Sequence, residues 1–135
     1  MYYLTRIFVV LVLALIAFAV YVRLAPSNAE DWHVLPDGLE PGDGRSSAVR
    51  VVSDAGETLS RLDTIIRDTS RTTVLAGSVN EGMITYVTRS ALWGFPDYTT
   101  VAQRDGRIVL YGRARFGKSD LGVNAKRLDG WLSQL

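Results

Sequence analysis

"DYTTVAQRDGRIVLYGRARF", residues 97 to 116, decides the fold. Asp105-Gly106 separates two runs rich in β-branched and aromatic residues, and a tight hairpin needs positive φ at its two central positions, which an Asp-Gly pair supplies. A two-residue turn there pairs Arg104 with Arg107 and then, stepping outward, Ala102 with Val109, Thr100 with Tyr111 and Tyr98 with Arg113. Successive side chains alternate across a sheet. Tyr98, Thr100, Tyr111, Arg113 and Arg115 therefore share one side, and Val101, Ile108, Leu110, Ala114 and Phe116 share the other. The apolar set is expected under helices, and the aromatic, basic set is expected open to water or to a partner.

Upstream, "TTVLAGSV" (72–79) and "MITYVTRS" (83–90) flank Asn80-Glu81-Gly82 and read as a second hairpin, with "ALWGFP" (91–96) interrupting before the first. "AVRVV" (48–52) reads as a further strand. Between them, residues 53–71 read as a helix: Asp54 at the N-cap and Glu57 three residues on form a capping box, and Leu59, Leu62, Ile65 and Ile66 recur on one face. Downstream, Gly117 and Lys118 turn the chain and Ser119 or Asp120 caps a last helix. Its apolar stripe is Leu121, Ala125, Leu128, Leu132 and Leu135, with Asp120, Asn124, Arg127 and Trp131 adjoining. Gly122 inside a helix costs ~1 kcal/mol relative to Ala, so either the backbone approaches something closely there or the helix starts later. The expected fold is α+β, in the order βαβ₄α or αβ₄α: an antiparallel four- to five-stranded sheet with two helices packed on one face, over residues 48–135.

Residues 7–22, "IFVVLVLALIAFAVYV", contain no charged residue, Gly or Pro and are bracketed by Arg6 and Arg23. As a helix this run reaches about 24 Å, short of the ~30 Å hydrocarbon core; Tyr2, Tyr3, Leu4 and Leu24 extend it, and arginine stems can snorkel to the headgroups. Residues 1–24 thus read as a membrane anchor or a signal segment. Arg6 and the small-x-small triplet Ser27-Asn28-Ala29 suit a cleaved signal; the length of the run and the position of Arg23 suit an uncleaved transmembrane helix. Either way the remainder is exported. The positive charge before the segment, against Glu30 and Asp31 after it, favours an inside N-terminus.

Residues 25–47 hold every Pro but one, with several Gly and Asp, and read as an extended linker lying on the domain, pinned by Trp32, His33 and Val34. His33 is the only histidine in the chain, and beside Trp32 it reads as packing rather than chemistry. The 135 residues contain no cysteine, which removes disulfides, thiolate catalysis and thiolate metal sites. Residues 30–68 carry nine acids against four bases, and residues 104–127 seven bases against two acids, so the two regions attract. Over residues 30–135 thirteen bases oppose fourteen acids, which is no nucleic-acid footprint. No phosphate loop, metal-spaced cluster or Gly-x-Ser-x-Gly is present.

"FPDYTTV" followed by "GRARFGKSDLGVNAKRLDGWL" resembles the C-terminal signature of domain of unknown function family 1499, a group of bacterial and plastid proteins. The resemblance runs through Arg113, Arg115, Gly117, Ser119, Asp120, Leu121, Gly122, Asn124 and Arg127, and extends over residues 50–135. "DWHVLP" is similar to a segment preceding the domain in membrane-anchored members. The chain departs from the pattern at Tyr98, where many members have a second Asp after Phe-Pro-Asp, and in lacking a linker cysteine. The resemblance implies export and membrane association, and no established activity.

The block has two physical readings. In one, Asp97 and Asp120 pair with arginines and hold the last helix to the sheet, while Asn124 satisfies the backbone of the Gly117 turn. In the other, Tyr98, Tyr111, Arg113, Arg115, Asp120, Asn124 and Arg127 are candidate ligand-binding residues, since guanidinium forks and phenols suit phosphate or carboxylate groups. The functional expectation is a periplasmic accessory or interaction module without catalytic activity and without cofactor or metal. It is single-pass in the inner membrane through residues 4–24, with a protein partner at the membrane and no nucleic acid. The alternative is an anionic small-ligand or lipid-headgroup binder using the Arg113 and Arg115 face. A third reading is an enzyme centred on Asp120, Asn124 and Arg127, which a closed apolar cavity beside them would favour and a flat surface would count against.

Overall fold

The computed structural model describes residues 1–135. Helix α1 (Tyr2–Leu24) is uninterrupted, and of its residues only Val22 is buried. It is long and apolar enough to cross a membrane, a test that a signal sequence near the N-terminus also passes. A single helical turn, α2 (Ala29–Trp32), and a two-residue strand, β1 (Gly42–Asp43), follow. The domain continues with β2 (Ser47–Ser53), α3 (Thr58–Arg67), β3 (Thr72–Ser78), β4 (Met83–Arg89), β5 (Pro96–Arg104), β6 (Arg107–Ala114) and α4 (Val123–Leu132). The six strands lie in the order β1-β2-β6-β5-β4-β3, and every neighbouring pair is antiparallel.

The β5–β6 hairpin has the register expected from its turn. Arg104 is opposite Arg107, Thr100 opposite Tyr111 and Tyr98 opposite Arg113, with φ of 51° at Asp105 and 72° at Gly106. On one side of the sheet Ala48, Ile84, Tyr86, Val101, Ile108 and Leu110 form a continuous core with Leu59, Leu62 and Ile66 of α3 and Leu128 and Trp131 of α4. Polar groups at its rim are bonded: the Tyr86 hydroxyl donates to Asp63 (2.7 Å) and Trp131 Nε1 donates to Thr69 (2.8 Å). Burial, then the hydrogen bond to Asp63, push the Tyr86 phenol well above its usual range. At the sheet edge Arg50 joins β1 to α4, donating to Asp43 and to Asp129, each at 2.7 Å. Gly112 of β6 sits under α4, where a Cβ would lie 2.9 Å from Asn124 Oδ1. The missing side chain admits the first turn of α4.

Several expectations are corrected. The sheet has six strands rather than four to five, because residues 42–43 pair with Ala48 and Val49. The helix packing also differs from two helices on one face: besides α3 and α4 on that face, α2 lies on the opposite face with Trp32 stacked on Tyr98, and α1 meets the base of the sheet through Phe18. Helix α3 begins at Thr58 with Glu57 at its N-cap and no side-chain cap bond. Asp54 instead accepts from the Gly56 N–H (2.9 Å) in a local turn, so the capping box is not formed. Helix α4 starts at Val123, with Gly122 as a left-handed cap at φ 77°, so Gly122 bears no interior-helix cost. Leu121 falls outside the helix and is exposed, and the stripe facing the sheet is Asn124, Leu128 and Trp131. Phe116 lies beyond β6 and packs against Phe18 and Tyr21 of α1 instead of α3 and α4.

Candidate functional site

The aromatic, basic face is not open. Tyr98 is 0% and Arg113 7% exposed, because residues 26–35 lie across them as a strap. The Trp32 ring stacks on Tyr98, with centroids 4.0 Å apart and planes 13° from parallel. Ser27 Oγ shares a hydrogen with the Tyr98 hydroxyl (2.6 Å), and His33 Nδ1 lies 2.8 Å from Thr85 Oγ1. Arg113 Nη1 donates to Thr100 Oγ1 (2.8 Å) and the Tyr111 carbonyl (3.2 Å), and Nη2 donates to the Trp32 carbonyl. Its guanidinium lies 4.6 Å from the Tyr111 ring centroid and 5.7 Å from that of Trp32. No carboxylate pairs with it. Desolvation pulls its pKa below the usual arginine value, opposed by Tyr111 and Tyr98. Carbonyls and aromatic faces thus hold this cation, and its donors fasten the strap. Arg115 does the same a step further out, donating to the Pro26 carbonyl (2.9 Å) and the Tyr98 hydroxyl (3.2 Å).

The other candidate residues gather on the opposite side, at the start of α4. Asp120 accepts from the backbone N–H of Gly122 (2.9 Å) and of Asn124 (3.1 Å) and from Asn124 Nδ2 (2.8 Å). Desolvation raises its pKa, but these hydrogen bonds outweigh it and hold the carboxyl below its usual range. Arg127 Nη1 forms an ion pair with Asp97 (3.0 Å) and donates to Asn124 Oδ1 (3.1 Å). Asn124 Nδ2 also reaches Asp97 (3.4 Å). Desolvation is the largest influence on Asp97 and raises its pKa against the pull of Arg127. The network ties α4 to β5 through Asp97 and Arg127, but Asp120 pairs with no arginine and instead holds Gly122 and Asn124, and Asn124 serves Asp97 and Asp120 rather than the Gly117 turn.

Beside this network lies a half-open cleft of about 450 Å³. Phe18, Phe95, Phe116 and Val123 supply apolar walls, while Asp97, Asp120, Arg127, Ser90 and Ser119 supply polar ones. One wall belongs to α1. Phe18 meets Phe95 (6.2 Å between centroids) and Phe116 (6.5 Å), and Tyr21 meets Phe116 edge-on (6.3 Å). Arg23 Nη2 donates to the Leu92 carbonyl (2.8 Å), and Arg89 Nη1 donates to the Val22 carbonyl (3.3 Å) and the Gly94 carbonyl (2.9 Å). Helix α1 is therefore joined to the domain by an aromatic cluster and by arginines from both sides.

The sequence pattern of "Protein of unknown function (DUF1499)" matches residues 30–135. The chain belongs to the DUF1499 family. No curated protein matches it. A crystal structure of a DUF4468 family protein from Bacteroides ovatus is similar at 14% identity and a TM-score of 0.33, covering 65% of this chain and 63% of that one. The chain thus spans less than two thirds of that protein's length.

Within the DUF1499 domain the signature residues divide between the two faces of the sheet. Arg113 and Arg115, with Tyr98 and Tyr111, fasten the strap; Asp120, Asn124 and Arg127 line up with Asp97 beside the cleft. The aromatic walls of the cleft, Phe18, Phe95 and Phe116, are not among the candidate residues. They are 21 to 98 positions apart in the chain, and no local periodicity links them. Only the Asp-Gly register, carried two pairs beyond Asp97 and Ala114, brings the Phe95 and Phe116 positions together.

Proposed function

We propose that the protein is an accessory module of the inner membrane. Helix α1 spans the bilayer once with Arg6 on the cytoplasmic side, and the DUF1499 domain stands on the periplasmic side, where it engages a protein partner and catalyses no reaction. The observation that carries this reading is the nature of α1: its apolar surface is bare except where its last turns pack on the domain. A bare apolar helix of this length calls for lipid, and two positive charges before the apolar run, the amino terminus and Arg6, against Arg23 alone just after it favour the same orientation. The polar groups near the cleft are largely committed to one another, and Ser119 Oγ accepts a hydrogen bond from the Leu121 N–H (3.2 Å) with no base beside it. A ligand reaching Arg113 would have to displace the strap, so the cleft beside Asp97 and Arg127 is the more accessible place for the alternative, a small amphiphile.

The test is fractionation of cells producing the full chain with a C-terminal tag, followed by protease treatment of spheroplasts and native purification in mild detergent. The expected result is a carbonate-resistant, full-length chain, digested from outside, that co-purifies with a stoichiometric partner. A shortened soluble chain would contradict the tether, and a lone monomer recovered repeatedly would contradict the interaction role.

A further inference from the structure

Two loops at the base of the sheet carry apolar side chains that the domain does not use. Leu92 is 74% and Leu121 is 91% exposed, and Trp93 and Val123 beside them are exposed as well. Leu121 is held at φ 53°, a left-handed conformation that a leucine avoids. A strained backbone that points a large apolar side chain into water gains nothing inside the domain, and such outliers persist where another role requires them. Both loops lie at the α1 end of the molecule: Leu92 bonds Arg23, and Leu121 lies between Asp120 and Val123, which share the cleft with Phe18.

Helix length then decides the depth. From Tyr2 to Leu24, α1 rises about 33 Å, enough for a hydrocarbon core of about 30 Å. Phe18 already touches Phe95 and Phe116, and only about 24 Å of helix separates Tyr2 from Phe18. A domain held wholly outside the lipid would leave the helix too short. Seating its base in the leaflet makes up the difference.

We propose that the loops 91–95 and 116–123 form a second membrane contact, with Leu92, Trp93 and Leu121 entering the interfacial region of the leaflet around α1. This rests on the reading of α1 as a transmembrane anchor and adds that the domain is seated in the lipid rather than suspended above it. The chemistry of the rim agrees. Arg23 and Arg71, which line one pocket, and Lys118 lie at this end, where cations can pair with lipid phosphates, and Trp93 and Tyr21 have the amphipathic rings that settle at headgroup depth. The far end of the sheet carries Glu81, Asp54 and Asp105 in its turns together with Arg104, which pairs with Asp37, and Arg107, so it lacks the basic rim of the α1 end.

With no native cysteine to remove, nitroxide labels can be placed singly at Leu92→Cys, Leu121→Cys, Glu81→Cys and Leu13→Cys in the full chain, reconstituted in phosphatidylethanolamine–phosphatidylglycerol nanodiscs. Accessibility to oxygen, which prefers lipid, is compared with that to a water-soluble nickel chelate. The expected oxygen-to-nickel ratio at residues 92 and 121 is several-fold above that at residue 81 and approaches that at residue 13. Ratios at 92 and 121 equal to that at 81, with residue 13 still lipid-like, would overturn the seating while leaving the tether intact. An aqueous ratio at residue 13 would overturn both, and a lipid-like ratio at only one loop would overturn the two-loop contact.

Discussion

Asp97 is the residue where burial and pairing pull hardest against each other. Its partner Arg127 lies 3.0 Å away, yet desolvation raises the carboxyl above its ordinary 3.8. Between 3.8 and that raised value the folded chain binds more proton than the unfolded chain, so this residue's contribution to stability falls as pH rises through the window. Asp97→Asn removes that dependence while keeping a side-chain acceptor for Arg127. The urea midpoint of the variant relative to the parent is expected to rise from about pH 4 to about pH 7; an unchanged or falling difference would show that the ion pair outweighs burial. Asp120, whose carboxyl is held low by Asn124 and two backbone N–H groups, has the opposite sign: its contribution is full above 3.8 and is lost on further acidification. These roles were partly legible in the sequence, since Asp97, Asp120, Asn124 and Arg127 stand out as a polar block before an apolar stripe. Which carboxylate meets which arginine was not, because the choice depends on the side of the sheet each residue faces and on where α4 starts.

The strap shows what an element without periodicity can do. Its single helical turn, and the two-residue strand Gly42–Asp43 that follows it, lack the length and patterning by which helices and strands are recognised, and Gly and Asp are poor strand formers. Residues 25–47 therefore read as a linker, and the sixth strand escapes notice. The Asp105-Gly106 turn, by contrast, determines local geometry alone, and the hairpin it closes keeps the expected register to the last pair. What such local signals leave out is the cover on the second face. Trp32 stacked on Tyr98 and the Arg113 donors spent on the Trp32 carbonyl make the strap part of the fold. Trp32→Ala is expected to lower stability by about 2 kcal/mol or more, combining lost burial with a stack worth about 0.5–1.5 kcal/mol. It should also open residues 25–41 to limited proteolysis while residues 48–135 stay resistant. A strap as resistant in the variant as in the parent would mean that Trp32 does not hold it.

At the scale of the whole molecule, helices α3 and α4 cover one face of the sheet, the strap covers the other, and α1 takes the base. Strand β5, nine residues long, carries the far turns about 27 Å from the aromatic cluster, so the strands stand away from α1. A flexible linker of the same length would let the domain swing; the cluster of Phe18, Phe95 and Phe116 with the Arg23 and Arg89 bonds makes α1 and the domain one body. The most direct measurement is the pulsed electron–electron distance between nitroxides at Leu15→Cys in α1 and Glu81→Cys at the far turn, in the full chain in lipid nanodiscs. A single narrow distribution, broadened by Phe116→Ala, is the expected result. A broad distribution in the parent chain would contradict a seated domain.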